Sequence, residues 1–569
     1  MTTYEKDATT PVPPWPFTGR EAELELVGRS STGARRGIVV TGPAGCGKSR
    51  LLAEAVRGGD CVRAAGTPEG RAIPFAAFAH VLPDAVTLPR AVGLLSGAGT
   101  LVVDDAHLLD DASAALVHQL AVQGRTRLLV AAPDDSPAPG AVSRLWTGEL
   151  LPHLALEPLP AQETARLLAA GAGPVEPLTA GRLLRLSRGD LRLLRDLLHA
   201  VRDALVPGPG TGERAWRGPL PLTAPLRGYA APVLGRDCPR ERETLDRLAF
   251  AEPLEPAPDG LDLAALETLE SAGVIDVGAR GGVRFTHPLY GPALRAAAGR
   301  LRTRRLSPAP EAYTAALDAE ASTLARRIDR DDVTELPAPV GEFLVAEGRP
   351  LPGPYAAVRA RFARLRGEPG TAAAWARAGL RTDPQDTACR DELARAEGAV
   401  SLDGTSPDPY DAVRLGAPGE AAGRLRGVFA RHAHALARAD GPGLDAVAVE
   451  LEERGFTLFA AEAYAQAVGV HRDPRAARHA RTRAVALARR CEDARTPALS
   501  GLALGELTAR QRQIVDLAAA GLSNRQIAER LTLSVRTVGN HLYGAYTRLG
   551  AGDRTALPRL TRSPQPQPA

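Results

Sequence analysis

Among 70 lysines and arginines, only Lys6 and Lys48 are lysine. Lys48 lies in GPAGCGKS, Gly42 to Ser49, which follows the apolar run GIVVT, Gly37–Thr41, and precedes a helical pattern through Val56. This is G-x-x-x-x-G-K-[ST] in a strand–loop–helix setting, a P-loop. Its glycines let the backbone N–H groups of residues 44–49 converge on phosphate oxygens at a helix N-terminus. Lys48 would reach the β- and γ-phosphates, and Ser49 would ligate Mg²⁺. Gly42, Pro43, Ala44, Gly45, Cys46, Gly47, Lys48 and Ser49 are therefore the expected cradle for ATP with Mg²⁺. A compact ammonium stands here in a chain that otherwise uses the forked guanidinium. The competing reading is a plain glycine turn.

TLVVDD, Thr100–Asp105, reads as a second buried strand ending in two carboxylates. Asp104 would hold Mg²⁺ through water, and Asp105 would orient an attacking water as the catalytic group. His107 reads as a packing or capping residue. RLLVAA, Arg127–Ala132, is a third strand. Strands alternating with helices around a P-loop predict a parallel sheet covered on both faces.

A second chemistry occupies Leu507–Leu560. Thr508 with Gln511 and Ser523 with Gln526 have the spacing of capping boxes, and Ser534 has the position of a third N-cap. In the third helix Val538, Leu542, Ala545 and Leu549 share one face. The opposite face carries Arg536, Asn540, Tyr543 and Thr547, and Arg and Asn in a major groove read base edges. Residues 501–569 hold nine Arg against four acids, a balance of +5, while the whole chain carries +4. Positive charge collects where a DNA-reading helix would need it.

The wider composition sets bounds. At 569 residues three or four domains are expected, and 44% apolar content suffices for ordinary cores. No apolar run reaches membrane-spanning length, and the N-terminus shows no signal pattern. Five scattered cysteines, Cys46, Cys61, Cys238, Cys389 and Cys491, suit reduced thiols in a cytoplasm. Arginine usage with abundant alanine suggests a GC-rich genome.

LTARQRQIVDLAAAGLSNRQIA and SVRTVGNHLYGAYTRLG resemble the LuxR-type helix-turn-helix. The resemblance implies promoter binding, usually as a dimer. It implies DNA contacts from Arg525, Ser534, Val535, Arg536, Thr537, Asn540, His541, Tyr543, Thr547 and Arg548. Gln511 stands where the family usually has Glu, and Gly539 where a larger side chain is usual. GREAEL, the P-loop, LVVDDAHLLD and SRGDLRLLRDLL (Ser187–Leu198) resemble the ATPase module of STAND-type signalling NTPases, as in large ATP-binding LuxR regulators, the LAL family. That adds Arg20 to the nucleotide-binding set. Pro133 replaces an Arg common after the third strand, and Asp190-Leu191 replaces a frequent Asn-Pro. VRFTHPLYG is similar to the segment that follows this ATPase, which makes His287 a candidate phosphate sensor; a His capping the next helix is the alternative.

The fold class expected is multidomain α/β plus all-α. A disordered leader over 1–15 would precede a P-loop NTPase domain over 16–203 and a Pro/Gly-rich linker over 204–226. A winged helix over 227–300 would contain a helix at Leu261–Ala272 and a hairpin from VIDV and VRFT. A tetratricopeptide-like helical array over 301–490 follows, without a clean 34-residue period. Its Arg residues are balanced by acids, so it is assigned a protein or signal ligand and no nucleic acid. A linker over 491–505, the helix-turn-helix over 506–563 and a tail over 564–569 complete the chain. The function expected is ATP-binding, sequence-specific transcriptional regulation; the resemblance implies activation of a gene cluster, often for a secondary metabolite in an actinomycete, with RNA polymerase as a partner. Two other classes stay open: a regulator whose nucleotide site is structural and never turns over, and a STAND-type ATPase scaffold using its helix-turn-helix for protein contact.

Overall fold

Gly37–Gly42 (β1) is buried along its whole length and is paired on both sides. In this computed structural model its neighbours are Arg127–Pro133 (β4) and His153–Ala155 (β5), and Val62–Ala65 (β2) and Thr100–Asp104 (β3) extend the sheet. The order is β2-β3-β4-β1-β5, and every pairing is parallel. Val40 aligns with Ala131 on one side and Leu154 on the other. Side chains alternate between faces, so each face needs its own cover. Val39, Leu101, Leu128 and Val130 pack with residues of Leu88–Leu95 (α3) and Asp111–Gln123 (α4); Ile38, Val40, Leu129 and Ala131 pack with Val27, Leu51 and Leu52. The structure describes residues 15–30, 37–134, 137–148, 150–208, 212–254, 256, 258–278, 281–397, 413–414, 418, 423–488, 490–491, 496, 498–499, 513–515, 517–518, 522–531, 533–535, 537–539 and 541–542. The chain divides into two compact units, Met1–Pro308 and Ala309–Ala569.

In the first unit, Ala161–Ala172 (α6), Pro177–Ser187 (α7) and Leu191–Val201 (α8) follow the sheet. Among its described residues, the Pro/Gly-rich stretch expected as a linker over 204–226 instead holds two strands. Leu205–Pro207 (β6) and Arg214–Trp216 (β7) form an antiparallel pair. Trp216 is fully buried with Leu193, Leu194 and Leu197, and the Arg182 guanidinium lies 3.5 Å from its ring centroid. Burying a large indole against a leucine-rich helix outweighs the local turn composition. Next come Pro239–Ala251 (α11), Leu263–Ser271 (α12), the hairpin Ile275–Val277 (β8) with Val283–Phe285 (β9), and Tyr290–Ala297 (α13). Asp262 accepts a hydrogen bond from Ala265 N–H and starts α12. These three helices and the hairpin fall within residues 227–300, the segment assigned a winged helix from its sequence.

The second unit is helical among its described residues. Gly353–Arg366 (α17) and Pro369–Thr382 (α18) pack through small side chains, including Ala356, Ala360, Ala372 and Ala376. Gly441–Glu453 (α21) packs on Thr457–Val470 (α22), which packs on Pro474–Ala488 (α23). Phe456 and Phe459 meet edge-to-face at 5.9 Å within this core. Among the described residues no helix is long and apolar enough to cross a membrane.

Candidate functional sites

The loop after β1 enters Lys48–Ala55 (α2) through Gly47, which is left-handed at φ 101°. Gly45 is also left-handed, at φ 72°. Both conformations are nearly free only to glycine. Lys48 is buried, and its ammonium donates to Gly42 O and Pro43 O, each at 2.7 Å. Burial pushes the Cys46 thiol up, with nearby Lys48 opposing. Arg20 is buried beside the loop, where it donates to Cys46 O at 3.5 Å and to Glu157 O and pairs with Glu23 at 2.9 Å. It thereby links the loop backbone, 26 residues on in sequence, to Glu157, 137 residues on.

A cavity of about 860 Å³ opens over this loop. Residues Ala44 to Ser49 and Arg20 line one side, and Trp15, Phe17 and Leu167 supply apolar wall. The face of α8 supplies Arg192 and Arg195. Asp190 caps α8 by accepting from Arg192 N–H at 2.7 Å and Leu193 N–H at 3.1 Å, and Leu191 N–H donates to Gly45 O at 3.0 Å. The first turn of α8 is thereby held against the P-loop. Arg192 and Arg195 were not assigned from sequence. Their i,i+3 spacing after a capping Asp was the available signal, because it puts both on one helix face.

Asp105 lines the same cavity, as do His107 and Pro133. Asp105 is left-handed at φ 45°, ψ 44°, and its N–H donates to Asp104 Oδ1 at 3.0 Å. Asp104 lines a smaller adjoining cavity of about 430 Å³ with Arg63 and His80, and Ser49 lines both. The two carboxylates thus line different cavities, which share Ser49. His107 Nδ1 is buried with no hydrogen-bond partner. His287, expected at the phosphates, is not among the cavity-lining residues. Its Nδ1 accepts from Leu289 N–H at 3.1 Å, so it caps the turn into α13. Burial lowers its pKa, Arg188 adds to this, and Asp190 opposes it.

The donor set fits a Mg-nucleotide. The buried Lys48 ammonium shares the larger cavity with Asp105, and Ser49 lines both that cavity and the one lined by Asp104. Among the described residues no group of three or more His, Cys, Asp or Glu forms a self-sufficient metal site. Mg²⁺ commonly takes few protein ligands and completes its shell from phosphate and water.

At the C-terminal end, Gln526 Oε1 accepts from Ser523 N–H at 2.8 Å and Ser523 Oγ accepts from Gln526 N–H at 3.4 Å. This reciprocal pair opens Asn524–Leu531 (α24). Ser534 Oγ likewise accepts from Thr537 N–H at 3.0 Å. Ile514, Val515, Ile527, Val538 and Leu542 form one buried cluster. Ser534 and Val535 are exposed, Thr537 and His541 are partly so, and Arg525 is exposed and pairs with Glu529 at 3.3 Å. Among the described residues, a Cβ at Gly539 would meet nothing within 4 Å. Arg536, Asn540, Tyr543, Thr547 and Arg548 lie outside the described residues, as do Thr508, Gln511, the leader through residue 14 and the tail.

Residues 505–561 match the family described as bacterial regulatory proteins, luxR family. Curated relatives, each named "Putative HTH-type transcriptional regulator", occur in Mycobacterium bovis and in Mycobacterium tuberculosis. Each is 47% identical over 53 residues, which is 9% of this chain and 6% of the relative. The similarity is thus to one domain of much longer proteins. Among solved structures, a Thermotoga maritima RuvB mutant aligns with 47% of this chain and 91% of its own, at 16% identity and TM-score 0.28. A STAND protein with a tetratricopeptide repeat sensor from Pyrococcus horikoshii aligns with 94% of this chain and 77% of its own, at 14% identity and TM-score 0.25. At these scores the α/β domain is defined by its own sheet order and P-loop.

Proposed function

We propose that this chain is an ATP-binding, sequence-specific transcription regulator, with a C-terminal luxR-type domain that binds promoter DNA and an N-terminal P-loop domain that acts as its switch. The observation that carries this reading is the pairing of residues 505–561 with the Lys48 loop. Bound ATP would supply three phosphates bearing negative charge, with Mg²⁺ to neutralise part of it. Lys48 would exchange its two carbonyl partners for phosphate oxygens. Ser49 and Asp104 would hold the metal, and Arg20 would keep the loop in shape. Arg192 and Arg195 add positive charge from α8, and Asp105, which lines the same cavity, would orient a water. Nucleotide and an inducing signal would bias a two-state arrangement that sets DNA-binding competence or dimerisation. By the same resemblance, the output is activation of a gene cluster through RNA polymerase in a cytoplasm.

The second reading is a nucleotide site that binds but never turns over. Pro133 favours it, because it lines the cavity where the resembling ATPases commonly carry Arg. The test is operator affinity and phosphate release for the full chain and Lys48→Ala, each with and without Mg-ATP. A charge-assisted contact to phosphate is lost in the variant, so ATP affinity should fall tenfold or more. About 1.4 kcal/mol of preference of ATP for the DNA-competent state gives a tenfold change in DNA affinity. Equal DNA affinity in all conditions, with normal transcription from Lys48→Ala, refutes ATP control. DNA control by ATP without phosphate release selects the second reading.

A further inference from the structure

We propose that the exposed face of α23 is a second DNA-backbone contact, engaging phosphates beside the site bound by the C-terminal domain. The inference rests on the DNA-binding reading above and extends it to a helix of the array, which overall charge balance had assigned no nucleic acid. From His471 to Arg490 the chain carries seven Arg and one acid, Asp473. The chain's +4 is the balance of +6 here, +5 over residues 501–569 and −7 over everything else. Two segments, ten residues apart, therefore hold the positive charge of an otherwise acidic protein.

The fold sorts these cations by face. Ala480, Ala484 and Leu487 are buried on the inner side of α23. Arg483 and Arg490 both pair with Glu452, and the Arg483 guanidinium lies 5.9 Å from the Tyr464 ring centroid. On the outer side Arg475, Arg478, His479 and Thr482 are exposed at three- and four-residue spacing, and Arg472 is exposed just before the helix. Arg478 Nε donates to Pro474 O at 3.1 Å, on its own helix. Among the described residues, Arg472, Arg475 and Arg478 form no ion pair, so their charges repel one another until a polyanion neutralises them.

A solvated charged surface usually intersperses both signs. This face carries three Arg against one acid, Asp473, which accepts from Arg475 N–H at 3.0 Å at the helix start. Reach favours duplex DNA over an acidic protein as the occupant. Sixteen residues, 491–506, join Arg490 to Leu507. Fully extended they span at most about 55 Å, roughly one and a half helical turns of duplex. A phosphate contact from α23 would thus fall close to the operator half-site, at high effective concentration once the C-terminal domain is bound.

The test uses the full chain and a generic duplex of about 40 base pairs, with affinity measured by fluorescence anisotropy across salt concentrations. Each Arg that neutralises a phosphate contributes about 0.9 to the slope of log affinity against log salt. The triple variant Arg472→Ala, Arg475→Ala, Arg478→Ala should flatten the slope by about two to three and lower affinity at least tenfold near 0.1 M salt. Arg472→Lys, Arg475→Lys, Arg478→Lys should restore both, because point charges suffice for backbone contacts. Equal slopes for wild type and the alanine variant, at equal melting temperature, overturn the proposal and leave an acidic protein surface as the occupant. If the alanine variant fails to fold, wild-type slope in Arg475→Glu overturns it equally. Absence of duplex binding by wild type at every salt concentration overturns the DNA-binding reading and this inference with it.

Discussion

Gly45 and Asp190 touch across 145 residues of sequence: a Cβ built on Gly45 would lie 2.1 Å from Asp190 Oδ1. That carboxylate caps α8, while Leu191 N–H donates to Gly45 O at 3.0 Å. Gly45→Ala should therefore do two kinds of damage. A left-handed alanine costs roughly 1–2 kcal/mol, and the methyl group must displace the cap. We expect a lower melting temperature and weaker ATP binding together. Asp190→Ala should cost about 1 kcal/mol of stability through the lost cap and leave Gly45 free to accept the alanine. The double variant would then be less destabilised than the two singles added, and strict additivity in thermal melts would show that the contact is not felt.

Asp105 offers a test of catalysis that spares the fold. Its left-handed backbone at φ 45° is one that Asn adopts readily. Asp105→Asn should melt within about 0.5 kcal/mol of wild type and slow any phosphate release. Asp104→Asn keeps an Oδ1 for Asp105 N–H, yet should weaken Mg²⁺-dependent ATP binding. Phosphate release unchanged in Asp105→Asn would remove its catalytic role.

His432 should make the second unit sensitive to acid. It is fully buried, and its Nε2 lies 2.7 Å from Gln466 Oε1. Gln466 Nε2 donates to Val413 O at 3.0 Å, so Oε1 accepts and the imidazole donates. Burial is the main cause that holds the His432 pKa below its ordinary 6.5, with the Gln466 bond and the Glu462 charge opposing. The unfolded chain then binds the proton first. This stability is complete above about pH 6.5 and is lost as pH falls from there toward the folded-state pKa. Melting temperatures between pH 7.5 and 5 should fall in wild type and fall less in His432→Gln. Parallel curves would exclude His432 as the source.

For DNA, Asn540→Ala should relax sequence preference, because a bidentate Asn–adenine pair is worth roughly 1–3 kcal/mol of discrimination. Arg525 is 84% exposed and pairs only loosely with Glu529 at 3.3 Å. Arg525→Ala should weaken binding to all sequences alike and reduce the salt slope by about 0.9. Competition binding with specific and scrambled duplexes separates the two, and swapped outcomes would mean the groove-facing side is misassigned.

The sequence by itself determined what is made within a few residues. The Gly42–Ser49 loop, the Ser523–Gln526 capping box, the Ser534 cap and the hairpin at Ile275–Phe285 were all legible. Their partners lie three to ten residues apart, where backbone periodicity and turn chemistry fix who meets whom. The parallel sheet followed from alternating apolar strands and helices. Tertiary structure alone decided which distant groups meet around the cavity over the P-loop. Arg20 reaches Glu157, Leu191 reaches Gly45, and Arg192 and Arg195 arrive with them. It also made Trp216 a core residue in a stretch whose composition reads as linker, and turned His287 to capping Leu289. Those outcomes depend on which apolar faces must be covered and on where the chain returns to cover them. No local pattern of residue types carries that information.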